Sequence, residues 1–147
     1  MLHDLQSRIQ SLIMADPWFG GVSVLTEKYG DLESQIETRI ARAGMCVIIR
    51  SAEGQLAAEG NRAACYREVI SVEFVKVITN QWSLITALQH AILAIHDQPV
   101  TEVGRSERRF SCSDHRALVD EDGAFSVQQL LVSCTATMSQ DNINPNL

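Results

Sequence analysis

The chain has no basic block, no metal-binding cysteine spacing, no apolar run of membrane length and no nucleotide or nucleophile motif. Each absence excludes something. A dedicated DNA- or RNA-binding module carries a Lys/Arg stripe. Here the net charge is −6, and the densest basic cluster, Arg105, Arg108 and Arg109 with Arg116 beyond, is broken by Glu107 and Asp114. The four cysteines, Cys46, Cys65, Cys112 and Cys134, include no C-x-x-C pair and none beside a His at ligand spacing. They are expected to be reduced and structural, because a thiol among apolar strand residues behaves as a small hydrophobe. No apolar run approaches the ~20 residues of a membrane span. Met1-Leu2-His3-Asp4 shows neither the basic nor the apolar region of a signal peptide. The expectation is a reducing, cytoplasmic setting with no membrane, nucleic-acid, metal or cofactor partner.

What the chain does have is an ordinary globular balance, 46% hydrophobic and 20% charged over 147 residues. A chain of this length buries roughly 68–70% of its unfolded surface, enough for one core without staples. Leu2, Leu5, Ile9, Leu12 and Ile13 recur at helical spacing up to Asp16-Pro17. Trp18 and Phe19 precede Gly20-Gly21, which reads as a flexible joint, and residues 22–26 are rich in β-branched residues. A second helix starts after Asp31, with Leu32, Ile36, Ile40 and Ala43 as its stripe, acids early, Arg39 and Arg42 late, and Gly44 as terminator. Met45 to Ile49 reads as a buried strand that turns at Ser51-Ala52-Glu53-Gly54. Arg62 to Ile78 is the strongest β-signal. Ile70, Val72 and Phe74 alternate with Ser71 and Glu73, and then Val75, Val77 and Ile78 break the alternation, implying a bulge or a change to burial on both faces. A third helix carries Leu84, Leu88, Ile92 and Ile95 on one face. Short and long final strands follow at residues 110–112 and 125–136. The expected architecture is α+β: one domain over residues 1–137, a mixed, mainly antiparallel sheet with helices packed on one face, and a polar tail over residues 138–147.

Reactive residues do not converge along the sequence. His90 and His96, six apart, fall on different helix faces and cannot form an i, i+4 zinc pair. Cys112-Ser113-Asp114-His115 sets thiol, hydroxyl, acid and imidazole in a row, yet catalytic triads converge from separate elements, so a solvated loop accounts for it better. Glu68 and Glu73 project to opposite faces of one strand and read as charges on a half-exposed surface. Asp120-Glu121-Asp122-Gly123 lacks the alternation and distal Glu of a calcium loop. Trp18, Phe19 and Trp82 are the aromatics placed to anchor either a core or a subunit contact.

The order of elements carries a resemblance. The long strand Glu68-Val69-Ile70-Ser71-Val72-Glu73-Phe74-Val75 breaks at Thr79-Asn80-Gln81. The helix Ala87 to His96 follows, and a late strand comes after an acidic turn. This pattern resembles the tail-terminator and tail-completion proteins of long-tailed bacteriophages and prophages, with Glu73, Asn80 and Ile95-His96 at the corresponding positions. The resemblance implies a non-enzymatic virion-assembly protein. It would form a ring of copies of itself, a hexamer, that caps the tail tube and meets head-completion proteins, residing in the virion tail after assembly in the host cytoplasm. Ring closure rests on heterologous contacts. Trp18, Phe19, Glu73, Asn80, Trp82, Arg105, Arg108 and Arg109, with the edges of the long strand, are the interface candidates. The rival reading is a small cytosolic binding domain that works through a strand edge or a helix face.

Overall fold

The computed structural model describes residues 2–28, 32–58, 63–78, 81–101, 108–118 and 123–139. These form three helices, α1 (Leu2–Met14), α2 (Leu32–Ala43) and α3 (Leu84–Ile95), and five strands. The strands are β1 (Ser23–Thr26), β2 (Met45–Ala58), β3 (Ala63–Val77), β4 (Ser111–Leu118) and β5 (Phe125–Ser139). All five join one sheet in the order β1-β2-β3-β5-β4. Only β1 and β2 run parallel, as the crossover through α2 requires. The other three pairings are antiparallel. The class is therefore α+β with a mixed, mainly antiparallel sheet.

The helices do not all share one face. Met45, Val47, Ile49, Ile70, Val72, Phe74, Leu130 and Val132 pack with Leu5, Ile9 and Ile13 of α1 and Ala87, Leu88, Ala91 and Ile95 of α3. The alternate residues Cys46, Ile48, Val75 and Leu25 pack with Ile40 of α2, together with Leu32 and Ile36. Strand side chains alternate by a period of two, so the two sets lie on opposite faces. α1 and α3 cover one face and α2 the other, which corrects the one-face expectation. The β1-α2-β2 connection explains it. A crossover between parallel strands lifts its helix onto one side, and that side was left open by α1 and α3. Gly44 ends α2 at φ 82°, its N–H reaching Ile40 O at 2.7 Å, the left-handed helix stop that glycine permits without strain.

β3 is one strand, and it lies at the centre. It pairs with β5 from Ala63 through Val77 and with β2 along its other edge. The broken alternation at Val75 and Val77 is burial on both faces: Phe74 faces α1 and α3, and Val75 faces α2. The bulges fall in β2, where the register shifts between Ser51 and Glu53 and again between Leu56 and Ala58. Residues 51–54 are thus no turn. β2 continues to Ala58, because β3 is long enough to satisfy its backbone groups, and a bulge absorbs Ala52. Likewise β4 extends well past Cys112, and Ser113 to His115 lie in the strand where a loop was expected. Its hairpin with β5 pairs Ser111 through Leu118 with residues 133 to 127. β5 reaches Ser139, two residues beyond the expected domain end at 137. The rest of the expected tail, like most of the acidic turn at 120–123, lies outside the described residues.

Glu68 also departs from expectation. It is 2% exposed, on the face that carries Ile70 and Val72, and its carboxylate accepts a hydrogen bond from Ser51 Oγ. That bond offsets part of the cost of burying a carboxylate. Glu73, on the opposite face, lies 3.3 Å from Arg50 Nη2.

Two-sided cover has a direct consequence. Val75→Ala would be nearly neutral on a bare sheet face, but under α2 it is expected to lower unfolding free energy by about 2 kcal/mol. Urea denaturation of the two proteins measures the difference.

Candidate functional site

The densest grouping of candidate residues lies where α1 ends and α3 begins. Helix α1 stops because Asp16 precedes Pro17, which opens a single 3-10 turn, Pro17–Phe19. The Asp16 carboxylate caps that turn. Oδ1 accepts from the Trp18 backbone N–H at 2.9 Å, and Oδ2 lies 2.8 Å from His90 Nδ1 on α3. The Trp18 amide, reinforced by His90, holds the Asp16 carboxyl below its ordinary value of 3.8. The turn is then closed by Gly20 N–H to Pro17 O and Val22 N–H to Phe19 O, each at 3.0 Å. Gly21 sits at φ 82°. The Gly20-Gly21 pair is a hydrogen-bonded corner where a flexible joint was expected.

Three aromatics and an imidazole assemble on this corner. His90 stacks flat on Trp18, with ring centroids 4.8 Å apart and planes 14° from parallel. Trp18 meets Trp82 edge-on at 5.1 Å and Phe19 edge-on at 4.9 Å. Phe19 is buried and stacks on Phe74 of the central strand at 6.2 Å. Trp82 donates its indole N–H to Ala43 O at 2.8 Å, satisfying a carbonyl at the end of α2. An open depression of about 520 Å³ lies beside this cluster, lined by Trp18, Gln81, Trp82, Ser83 and Thr86. The cluster thus ties all three helices to β3 and leaves a half-apolar concavity at the start of α3. Its chemistry is that of contact: aromatic edges, an amide and two hydroxyls, with the carboxylate engaged by His90 and a backbone amide.

Trp18, Phe19 and Trp82 are therefore brought together, and the other interface candidates are elsewhere. Glu73 lies on the α2 side of the sheet, paired with Arg50. Arg109 donates to Asp97 O at 2.6 Å, with its Nε 3.9 Å from Asp97 Oδ1. Its segment is strapped to residues 97–100 by Asp97 N–H to Phe110 O, Phe110 N–H to Gln98 O and Val100 N–H to Arg108 O. Arg109 is thus anchored to its own chain, with Asp97 at φ 63° making the corner. Arg108 is exposed and acts electrostatically on Cys134. Asn80 and Arg105 lie outside the described residues. The edges of the long strand are unavailable, since β3 is paired on both sides.

Sequence reasoning passed over Asp16 and His90 as members of this cluster. Asp16 had been legible only as a helix end, although an Asp directly before Pro is also the signature of a cap for the next turn. His90 carried no sequence signal, because its partners come from a segment 74 residues away.

The Cys112 to His115 run disperses as strand alternation demands. Cys112 donates its backbone N–H to His96 Nδ1 at 3.1 Å, and Ser113 Oγ donates to Leu131 O at 3.2 Å. Asp114 Oδ1 accepts from the His115 N–H at 2.8 Å, and His115 Nδ1 lies 3.3 Å from Gln128 Nε2. Burial pushes the Cys112 thiol up to about 11, and likewise those of Cys46 and Cys134. These three cysteines are free, and the fourth, Cys65, stands in β3. Among the described residues no group of His, Cys, Asp and Glu is arranged to hold a metal ion. Nor is any helix among the described residues long and apolar enough to cross a membrane.

No family model matches the chain, and no curated protein matches it. Among solved structures, the fold is similar to that of a chain in the virion of a native gene transfer agent particle. The TM-score is 0.62 over 90% of this chain and 94% of that one, at 12% sequence identity. At that identity the likeness is one of fold, and it extends over nearly the whole of both chains.

Two outcomes follow from the site. Asp16→Asn keeps a cap but removes the charge, and is expected to cost about 1 kcal/mol at neutral pH. Because the folded carboxyl titrates below 3.8, its contribution is present above that value and lost as pH falls through the depressed one. The variant's stability should accordingly fall less steeply with acid in urea titrations carried down to about pH 2.5. Thiols held near 11 are almost wholly protonated at neutral pH. Alkylation of half-exposed Cys112 by iodoacetamide should therefore run well over tenfold slower than that of a free thiol near 8.5, and accelerate up to about pH 11. Mass spectrometry of timed samples reads the rate.

Proposed function

We propose that this chain is a structural, non-enzymatic component of a phage-like virion, of the kind that terminates a tail. A ring of copies would cap the finished tail tube and present a surface to the head-completion proteins. The observation that carries the reading is the fold likeness to a virion chain, which spans 90% of this protein at a TM-score of 0.62. The order of elements from the long strand through α3, which resembles tail terminators, supports the finer part of it.

The physics of such a role is rigidity. A ring subunit must hold its contact surfaces at fixed angles, since small errors accumulate around a closed set of heterologous contacts. A fifteen-residue central strand paired on both edges, with helices on both faces, supplies that rigidity. The rival reading, a cytosolic domain that captures a peptide along the long strand, loses its docking edge because β2 and β5 already occupy it. The outer edges of the sheet, at β1 and β4, and the helix faces are the surfaces left to it.

The reading expects the purified protein to assemble into a closed ring of fixed stoichiometry, six copies in the tail-terminator case, seen by native mass spectrometry and negative-stain microscopy. A monomer at high concentration across a range of salt would remove it. Genes for tube, sheath or tape-measure proteins beside its own would support it independently.

A further inference from the structure

Along both outer edges of the sheet, side chains stand in for a missing neighbour strand. An edge strand turns every second backbone N–H outward, and each such group is a template for an added chain. Beside β1, Gln10 Nε2 donates to Val24 O at 2.7 Å and Gln6 Oε1 accepts from Glu27 N–H at 3.0 Å. Where β2 runs on past the end of β1, Glu27 Oε1 accepts from Ser51 N–H at 2.7 Å. On the β4 side, Phe110 donates its N–H to Gln98 O at 3.0 Å, next to the antiparallel bridge between Pro99 and Arg109. The next outward N–H is that of Cys112. Opposite it the chain is already closing α3, with His96 N–H on Ile92 O at 2.9 Å. The His96 imidazole supplies the acceptor instead, its Nδ1 lying 3.1 Å from Cys112 N. The bulge between Cys112 and Asp114 then moves the outward series to His115, whose N–H is accepted by Asp114 Oδ1 at 2.8 Å.

We propose that His96 is an acid-sensitive latch on the outer edge of the sheet, closed by its neutral imidazole and opened when that ring takes a proton. A backbone N–H only donates. The bond therefore fixes Nδ1 as the bare, accepting nitrogen and leaves the ring hydrogen on Nε2. Protonation adds a hydrogen at Nδ1 itself and sets donor against donor. The ring must swing away, and the Cys112 N–H is left facing outward without its acceptor. Imidazole is the side chain whose charge ordinarily changes between pH 5 and 8, where carboxylates stay ionised. The other edge acceptors are two amides and two carboxylates, so His96 is the member of the set that this change addresses. The surroundings allow it. α3 carries no Asp, Glu, Lys or Arg, and the carbonyl end of a helix favours positive charge. Asp97 is the adjoining acid, and Arg109 is drawn to it, with Nε 3.9 Å from Oδ1. Arg108, on the same strap as Arg109, is the opposing positive charge. On β4, Asp114 is turned to the His115 N–H, and burial pushes the Cys112 thiol up to about 11, which keeps it neutral. The latch belongs to the chain's own sheet edge and does not depend on the virion reading.

Nuclear magnetic resonance of the purified protein between pH 8 and pH 5 tests this. At pH 8 the His96 ring should carry its hydrogen on Nε2. As the ring protonates, hydrogen-exchange protection of the Cys112 amide, corrected for intrinsic exchange, should fall about fivefold, the worth of one hydrogen bond. The Phe110 amide, bonded to a carbonyl, should keep its protection. His96→Asn sets an amide oxygen where Nδ1 stands and does not titrate, so it should hold Cys112 protection across the whole range. His96→Leu should leave Cys112 unprotected at every pH. His96 is exposed, so circular dichroism should show both variants folded. If wild-type Cys112 protection is unchanged between pH 8 and pH 5, or falls equally in His96→Asn, the latch is wrong. It is also wrong if Phe110 loses protection in step with Cys112, because the whole strap is then fraying.

Discussion

The structure depends on the double pairing of β3. All fifteen of its residues pair with β5, and twelve of them, Cys65 to Lys76, pair with β2 as well. A strand so placed offers a partner few free backbone groups, and the apolar side chains it carries on both faces need cover on both. Ile70, Val72 and Phe74 meet that demand on one side under α1 and α3, and Val75 on the other under α2. The helix positions, the length of β2 and the closure of the long strand's edges all follow from this one arrangement.

The aromatic corner is the second-level consequence. Phe19 reaches the central strand at Phe74, and from there Trp18, Trp82 and His90 build outward to the surface. Asp16 links the end of α1 to the middle of α3, while the Trp82 indole links the start of α3 to the end of α2. Three helices from distant parts of the chain are locked together by these side chains. What they leave at the surface is a concavity lined by Trp18, Gln81, Trp82, Ser83 and Thr86.

How legible was this beforehand? The stripes of α1, α2 and α3 were, because Leu5, Ile9 and Ile13, or Leu88 and Ile95, repeat at a spacing that only a helix places on one side. The loss of alternation at Val75 was legible as either a bulge or burial on both faces, and only the packing under α2 decided for the second. The extension of β2 through Ser51 to Ala58 was not. Its residues have weak strand preference, and it is a strand because β3 lies alongside. The burial of Glu68 was equally hidden, since its hydrogen-bond donor, Ser51, belongs to the segment that had read as a turn.

The sequence by itself determined the local periodicities, the stops at Asp16-Pro17 and Gly44, the absence of motif chemistry and the α+β class. These rest on spacing and backbone preference, which act over a few residues. The tertiary structure alone decided that β3 is central, that α2 crosses to the opposite face, that Asp16 finds His90 and that Arg109 is anchored to Asp97. Each of those depends on which distant segments meet, and that choice is made by the collective burial of two apolar faces.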